Sequence, residues 1–477
     1  MKIVIHHHFI TLSAALLVSA CASVSPEPFG AVPTASQLEW QRMEINMFCH
    51  FGPNTFTGAE WGSGEESEEV FSPTALDCQQ WVDVSEAAGM KVVILTAKHH
   101  DGFCLWPSAY SSHTVTAEND VLRQFTNACR GKVKYGVYIS PWDRNHPTYG
   151  TAEYNNVFVN TLREVHENYG PFFEQWFDGA CGEGPNRKKQ HYDWPRFIQT
   201  VNENNPKCII FSDIGPGCRW VGNEEGHAGD PCWSTLNTKG ATPSDNKPTP
   251  AELETGHQGA SAWVPAEVDV SIRPGWFWHA NEHPKSVDEL MEIYYNSVGR
   301  NGLLLLNVPP DTCGRIPAED SAVLVAFRAE RDRIFSKDLA QGAKIKATSE
   351  FGPQYTAENL LDTAYHTYWA SGRTNGVDTI YIDWDEPVIF DLVMLQEYIP
   401  LGQRVGKFEI FFRDVDATNP ELVWYPIRPI EGIGPTTIGY KRIVRCWRPI
   451  HTRHIKICIE SALAPPILNR ISLHNSK

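Results

Sequence analysis

The fold is decided by one short stretch, Phe172-Phe173-Glu174-Gln175-Trp176-Phe177-Asp178-Gly179-Ala180. Its aromatic and apolar residues predict a buried strand, and Gly179 after the acid lets the chain turn sharply. Trp176 and Asp178 are two residues apart, so both side chains share one face of that strand. An indole in this position can stack on a sugar ring while the carboxylate faces the reacting carbon. The alternative is that Asp178 is a turn or helix-cap residue.

Strands and helices alternate on both sides of this stretch. Apolar strands are predicted at 45–49, 92–95, 135–139, 209–211 and 303–308, and helices at 75–88, 121–129, 152–169, 194–203, 286–298 and 318–335. Apolar strands separated by helices are typical of a parallel sheet that is covered on both faces. Seven or eight such units favour a (β/α)8 TIM barrel over 36–338, because no glycine-rich nucleotide fingerprint follows the first strand.

Several of the predicted strands end in polar or aromatic residues. His50 follows the first strand, 98–101 end the second, Trp142 and Asp143 follow the third, and Asp178 ends the fourth. The carboxyl ends of TIM-barrel strands surround one pocket. The pattern therefore predicts an active site at these strand ends.

The chain changes character after about residue 340. Segments 379–383, 390–395, 408–412 and 454–458 are short strand patterns separated by proline, glycine and aspartate turns. This pattern predicts an antiparallel β-sandwich over 339–477. The fold class is therefore α/β, a TIM barrel followed by a β-sandwich domain.

Composition excludes some functions. A net charge of −16 argues against nucleic acid as a partner, because phosphate binding requires a basic face. The 12 cysteines include no C-x-x-C pair, and 11 remain after Cys21. An odd number spread over a long chain indicates neither a disulfide scaffold nor a zinc site.

The amino terminus predicts export. Residues 1–20 combine Lys2 with an apolar core, and Val18-Ser19-Ala20-Cys21 resembles a lipobox, whose cysteine becomes lipidated. Residues 21–35 are small and proline-rich, as expected of a tether between a membrane and a folded domain. We expect an exported bacterial lipoprotein, periplasmic or anchored in the outer membrane, that reaches the membrane only through its lipid. A soluble signal peptide with a chance cysteine is the alternative.

Four motifs occur in order along the predicted barrel. They are His50-Phe51-Gly52, the run from Thr96 to Phe103 (TAKHHDGF), Tyr135-Gly136-Val137-Tyr138 and Trp176-Phe177-Asp178-Gly179. Together they resemble the landmarks of glycoside hydrolase family 29, the α-L-fucosidases. The resemblance implies no cofactor and no metal, and it implies fucosylated oligosaccharides or glycoconjugates as partners.

Two further segments refine the resemblance. The string Arg219-Trp220-Val221-Gly222-Asn223-Glu224 resembles the branch of the family that acts on α-1,3/1,4-linked fucose in Lewis-type glycans. In the second domain, Thr367-Tyr368-Trp369-Ala370 and Gly402-Gln403-Arg404-Val405 resemble a discoidin-type, galactose-binding-like sandwich. That fold hosts both sugar-binding modules and purely structural domains.

Retaining glycoside cleavage requires two carboxyl groups, a nucleophile and an acid/base. The resemblance assigns the nucleophile to Asp178, and we expect nearby histidines and an arginine to favour its charged form. Glu224 is the preferred acid/base, with Glu225 and Glu267 as its main rivals. The other candidates are Glu183 and Asp213.

The resemblance also implies a set of sugar-binding side chains. Adjacent histidines on a strand point to opposite faces, but at a strand end both can reach the pocket. An aromatic wall such as Trp276 suits the methyl group of fucose. The expected substrate-binding residues are His50, Glu60, Trp61, His99, His100, Tyr138, Trp142, Trp176, Arg219 and Trp276.

The sequence thus predicts a retaining exo-α-L-fucosidase that acts through a covalent fucosyl-enzyme. A broad-specificity α-L-fucosidase is one alternative. A cell-surface glycan-binding protein without an acid/base is the second, and a barrel hydrolase of other sugars is the third.

Overall fold

The structure is a computed structural model that describes residues 25–374, 377–415, 423–432 and 434–477. The predicted signal peptide and the lipobox cysteine Cys21 lie outside the described residues. Within these ranges, no helix combines the length and the apolar character that a membrane span requires.

Eight parallel strands close into a barrel in chain order, which confirms the predicted TIM-type fold. Each strand pairs with its neighbour in the sequence, and the last pairs with the first at Ile45 and Leu304. The strands are β1 (Ile45–Cys49), β2 (Val92–Lys98), β3 (Lys134–Ile139), β4 (Glu174–Trp176), β5 (Ile209–Ser212), β6 (Cys218–Trp220), β7 (Ala266–Ser271) and β8 (Leu303–Asn307).

The longer helices, of nine residues or more, cover the outside of the barrel and bury apolar residues against it, while Trp40 of the shorter first helix packs against residues of the barrel interior. The predicted start at Ser286 is confirmed, because this residue caps α8 in a capping box with Glu289. The helices are α1 (Ala35–Gln41), α2 (Pro53–Thr57), α3 (Cys78–Ala87), α4 (Val121–Cys129), α5 (Ala152–Tyr169), α6 (Trp194–Asn204), α7 (Pro250–Thr255), α8 (Val287–Asn296) and α9 (Ala318–Phe335).

Strands β6 and β7 are absent from the sequence-based prediction. The chain returns from β5 to β6 through only five residues, 213–217, with no helix between the strands. After β6, the long segment 221–265 contains α7 and a hairpin of Thr235–Leu236 with Ala262–Trp263. This segment brings Glu224 and Lys247 to the barrel, as described below.

The second domain is an antiparallel β-sheet domain, which confirms the predicted class of this region. Its two long strands continue through bulges, and both halves of Asp378–Glu397 contribute side chains to one core. The domain thus folds around that core as a sandwich does. Its strands are Lys344–Ala347, Trp369–Ala370, Asp378–Glu397, Val405–Asp414, Tyr425–Pro426, Arg442–Ala462 and Ile467–His474.

This domain packs against the end of the barrel where the strands begin. The Ile443 N–H donates to the Gly299 carbonyl at 2.9 Å, in the turn that precedes β8. The described part of the predicted tether also lies on the second domain. The Phe29 N–H donates to the Leu401 carbonyl at 3.1 Å, and the Arg404 guanidinium donates to the Glu27 carbonyl at 2.6 Å. Residues 25–34 are therefore docked on the folded protein instead of extending away from it.

Candidate active site

Asp178 lies at the carboxyl end of the barrel, two residues after β4. One carboxylate oxygen accepts a hydrogen bond from the Tyr138 hydroxyl at 3.1 Å, and the other accepts from the Ala180 N–H at 2.7 Å. Burial raises the pKa of Asp178, while these two donors and the charge of Lys247 oppose the rise. The side chain is 26% exposed, so a ligand in the barrel mouth can reach it.

Three histidines form the wall beside Asp178. The His100 Nε2 lies 3.6 Å from the Asp178 carboxylate, and its Nδ1 lies 2.8 Å from the Ser140 hydroxyl. The His50 Nδ1 lies 2.9 Å from the Asn307 side-chain oxygen. The His99 ring lies 4.1 Å from that of His100, so the strand end brings both adjacent histidines to the pocket.

Burial keeps these histidines neutral. It lowers the pKa of His50 and of His100 to about 3, and it lowers the pKa of His99 well below its usual value. These histidines therefore add no positive charge beside Asp178, and they can support its ionised form only by donating a hydrogen bond. Neutral imidazoles instead offer one donor and one acceptor each, which suits the hydroxyl groups of a sugar.

Glu224 faces the same site from the loop after β6. Its carboxylate accepts a hydrogen bond from the Trp276 indole N–H at 3.1 Å. Partial burial raises the pKa of Glu224, the Trp276 donor lowers it, and the charges of Asp178 and Glu60 raise it further. A general acid that must hold a proton near neutral pH needs such a raised pKa.

The backbone and ring of Trp276 are held in place by neighbours. The Trp276 N–H donates to the Glu60 carboxylate at 2.8 Å, and the other Glu60 oxygen lies 2.6 Å from the His279 Nε2. The Trp276 ring lies 5.0 Å from the ring of His50. Glu60 therefore anchors the aromatic wall in addition to lining the pocket.

Two tryptophans stand at the rim. The Trp61 side chain is 60% exposed, and its edge meets His100 at 5.7 Å and Trp142 at 5.5 Å between ring centroids. The Trp142 ring lies 4.7 Å from His100, and its indole N–H donates to the Glu183 carbonyl at 3.1 Å. An exposed indole next to a carboxylate-containing pocket provides a platform for a sugar ring.

The rival acids are placed less favourably than Glu224. Glu225 is solvent-exposed, as Glu224 is, but its carboxylate lies 3.3 Å from the His227 ring and not against Trp276, and Glu183 is exposed as well. Asp213 is ion-paired with Lys247. Glu267 is completely buried inside the barrel, where it accepts the Trp176 indole N–H at 2.7 Å.

Trp176 does not present a face to the pocket. The Phe211 ring stacks on it at 3.8 Å and 7° on the β5 side, and the Tyr138 ring lies at 5.3 Å and 28° on the β3 side. The predicted stacking of this indole on a sugar is therefore corrected. Trp176 instead forms the floor below Asp178.

Arg219 lies outside the barrel wall. Its side chain is fully buried and donates to the carbonyls of Leu253, at 2.8 Å, and of Val264. Neighbouring residues on a strand point to opposite faces, and Cys218 is the one that faces the barrel interior. The predicted sugar contact of Arg219 is corrected, because this residue holds the loop that carries Glu224.

A buried acid pair lies below the floor. Glu174, Cys218 and Glu267 form the group of potential metal ligands found within the described residues. Indole N–H groups already occupy both carboxyls, because Trp40 donates to Glu174 at 3.0 Å and Trp176 donates to Glu267. Burial raises the pKa of Glu174 to about 7, and that of Glu267 further. The pair therefore shares a proton and supports the floor.

Three functional residues are missing from the sequence-based prediction. Asp269, on β7, is buried, and its Oδ1 has no partner within the described residues. Burial raises the pKa of Asp269, and the charges of Glu224, Asp178 and Asp213 raise it further. The other two are Lys247 and Asn307. The charge of Lys247 opposes the rise in the pKa of Asp178, and the side-chain oxygen of Asn307 lies 2.9 Å from the His50 Nδ1.

Comparison with known proteins gives one consistent result. The sequence profile of the family described as α-L-fucosidase matches residues 28–328. Alpha-L-fucosidase 1 of Arabidopsis thaliana is 38% identical over 479 residues, which cover 98% of this chain and 92% of the relative.

Solved structures agree over the whole length. The crystal structure of SpGH29 has a TM-score of 0.88 at 35% identity and covers 95% of this chain and 100% of its own. The Ruminococcus gnavus GH29 fucosidase in complex with fucose has a TM-score of 0.86 at 31% identity, covering 95% and 97%. The chain is therefore a glycoside hydrolase and belongs to the α-L-fucosidase family, glycoside hydrolase family 29.

Proposed function

We propose that the protein is a retaining exo-α-L-fucosidase that removes terminal α-1,3/1,4-linked fucose from branched, Lewis-type glycans. The observation that carries this proposal is the pair of acids in one pocket, Asp178 on the floor and Glu224 on the adjacent loop. The charge of Asp178 contributes to the raised pKa of Glu224, so the two carboxyl groups are close enough to interact. Two carboxyl groups that face one scissile bond are what double displacement requires.

The chemistry assigns one role to each acid. Asp178 attacks the anomeric carbon while Glu224 protonates the departing oxygen, which gives a covalent fucosyl-enzyme. Glu224 then removes a proton from the incoming water, and this water displaces Asp178 with overall retention of configuration. The hydrogen bonds from Tyr138 and Ala180 support this assignment, because they stabilise the carboxylate form that attacks.

Sugar recognition is assigned to the polar and aromatic groups around Asp178. Neutral His50, His99 and His100 can each exchange hydrogen bonds with ring hydroxyls of fucose. The Trp276 ring is a suitable wall for the methyl group that fucose carries in place of a hydroxymethyl. The fucose complex of the Ruminococcus gnavus relative supports this substrate class.

The linkage preference rests on the resemblance of the string from Arg219 to Glu224. One experiment tests both activity and linkage. The protein is incubated with a Lewis-type trisaccharide and with 2′-fucosyllactose, and NMR follows free fucose and its anomeric form. We expect release from the trisaccharide with the α-anomer appearing first. Equal release from both substrates would indicate the broad-specificity alternative, and no release would indicate a glycan-binding protein.

Two variants test the assigned acids. Asp178→Ala should abolish hydrolysis of every fucoside. Glu224→Ala should slow hydrolysis of natural glycans by roughly 10²–10⁴, the usual contribution of a general acid/base, and slow 4-nitrophenyl fucoside much less. The matched control is Glu225→Ala, which removes an exposed carboxylate from the neighbouring position. Wild-type rates in Glu224→Ala on natural glycans would reject this acid/base.

Export, lipidation at Cys21 and the discoidin-like character of the second domain are part of the proposal. They rest on the lipobox and on the segments around Trp369 and Arg404. Labelling with radioactive palmitate in a bacterial host should mark the wild-type chain and not Cys21→Ala. Label on both proteins, or on neither, would reject lipidation at this cysteine.

A further inference from the structure

A second cavity lies at the other end of the barrel from Asp178. It occupies about 370 Å³ between the barrel and the second domain, and we call it the junction cavity. The barrel contributes Arg42 and Glu44, just before β1, and Arg331 from α9, while the second domain contributes Lys441 and Arg470. This volume is at the lower end of the range for small-molecule sites.

The lining of the junction cavity carries an excess of positive charge. Four cations face two carboxylates, in a chain whose net charge is −16. Glu44 already accepts from Lys441 at 2.5 Å and from the Tyr440 hydroxyl at 3.0 Å. The second carboxylate, Asp332, lies 3.5 Å from Arg328 on its own helix. The two carboxylates therefore leave a net positive charge in the lining.

Two of these guanidinium groups have no polar partner. Within the described residues, Arg42 and Arg331 make no side-chain hydrogen bond and no ion pair. Each instead stacks on an aromatic ring, Arg42 on Tyr365 at 4.3 Å and Arg331 on Phe327 at 5.0 Å. Stacking fixes the plane of a guanidinium and leaves its N–H edge free to donate to two oxygens of an oxyanion.

Arg470 adds a third guanidinium to the lining. Its side chain is 24% exposed, and its Nη2 lies 3.5 Å from the Asp338 carboxylate, which is not part of the lining. Its exposed part can donate charge-assisted hydrogen bonds to an anion in the cavity.

We propose that the junction cavity binds an oxyanion, either free phosphate or sulfate or the same group on a monosaccharide. Arg42, Arg331 and Arg470 bind its oxygens, and the anion joins the barrel to the second domain. Binding of this kind stabilises the folded protein by RT ln(1 + L/Kd), where L is the free ligand concentration, so the melting temperature rises with ligand concentration. It requires no contact with the catalytic site and does not depend on the proposed function.

Calorimetric titration of the full chain tests this site. Sodium phosphate and sodium sulfate should each bind at one site and raise the melting temperature, while sodium chloride at equal ionic strength should do neither. A third titration uses glucose 6-phosphate. Tighter binding of this ester than of phosphate would indicate that the cavity binds a sugar phosphate. Equal or weaker binding would indicate that it binds the free ion. Equal effects of phosphate and chloride would overturn the proposal.

Variants locate the site. Arg331→Gln and Arg42→Gln should each weaken phosphate binding about tenfold or more, because each removes one charge-assisted contact. Neither side chain has a polar partner to lose, so folding should be preserved. The matched control is Arg130→Gln, an exposed arginine after α4, which should bind as the wild type does. Wild-type binding in both cavity variants would overturn the proposal, as would competition by fucose.

Discussion

Replacing Tyr138 by phenylalanine removes one hydroxyl group from the catalytic centre and leaves the ring in place. That hydroxyl donates to the Asp178 carboxylate at 3.1 Å, while the ring stays packed between Trp176 and His99. A hydrogen bond to a charged group contributes roughly 1.5–3 kcal/mol. Since one pKa unit corresponds to about 1.36 kcal/mol, losing this donor raises the pKa of Asp178 by about one to two units.

The direction follows from which form the hydroxyl stabilises. It donates to the ionised carboxylate, so its removal disfavours ionisation and Asp178 stays protonated to higher pH. In the proposed mechanism only the ionised form attacks, so the acidic limb of kcat/KM should move up by about one to two pH units. At a pH below the pKa of Asp178 in both proteins, kcat/KM of Tyr138→Phe should be roughly 10- to 100-fold below that of the wild type. At neutral pH the loss should be smaller.

The assay is the pH dependence of kcat/KM with 4-nitrophenyl α-L-fucoside, whose leaving group needs little help from Glu224. Tyr135→Phe is the matched control, because its hydroxyl lies on the other face of β3 and points to the Tyr169 carbonyl at 3.5 Å. An acidic limb that does not move in Tyr138→Phe would refute the reasoning. An equal shift in the control would refute it as well.

Three further changes test other parts of the structure. Trp276→Phe removes the indole donor to Glu224, so the pKa of Glu224 should rise and the basic limb of kcat/KM should move to higher pH, by less than one unit at this exposed group. Arg219→Lys should lower the free energy of unfolding in urea by about 1.5–3 kcal/mol, because it removes hydrogen bonds of a buried guanidinium, and unchanged stability would contradict this structural role. Glu174 has a pKa of about 7 in the folded protein and about 4.3 unfolded, so stability should fall as pH rises through this interval. The free energy of unfolding in urea should differ less between pH 5 and pH 7.5 in Glu174→Gln than in the wild type. An unchanged difference would show that Glu174 does not titrate in this interval.

The sequence predicts the barrel where its strands are uniformly apolar. Runs such as Leu303–Asn307 are buried on both faces, and only apolar residues satisfy both environments. The prediction failed at β6 and β7 because Arg219, Glu267 and Asp269 interrupt the apolar pattern. These side chains are buried. Arg219 donates to the Leu253 carbonyl, and Glu267 accepts from the Trp176 indole, so their partners are distant in the sequence.

The candidate site was predicted where it follows strand ends and missed where it depends on the fold. Asp178 and the adjacent histidines end strands, which a pattern reveals directly. Lys247 reaches the site from a long loop that has no periodic pattern. A strand of three residues does not show in the sequence which of its faces points into the barrel. The sequence therefore placed Trp176 and Arg219 in the pocket, whereas Trp176 lies below the pocket and Arg219 lies outside the barrel wall.

The docking of residues 25–34 has a geometrical consequence for an anchored enzyme. This segment is fastened to the second domain by Phe29 and Glu27, at the end of the barrel remote from Asp178. With a lipid on Cys21, as proposed, only a few residues separate the membrane surface from that attachment. The second domain would then lie between the membrane and the barrel. The pocket around Asp178 would open away from the membrane, toward glycans that diffuse in from the medium and away from those on the same bilayer.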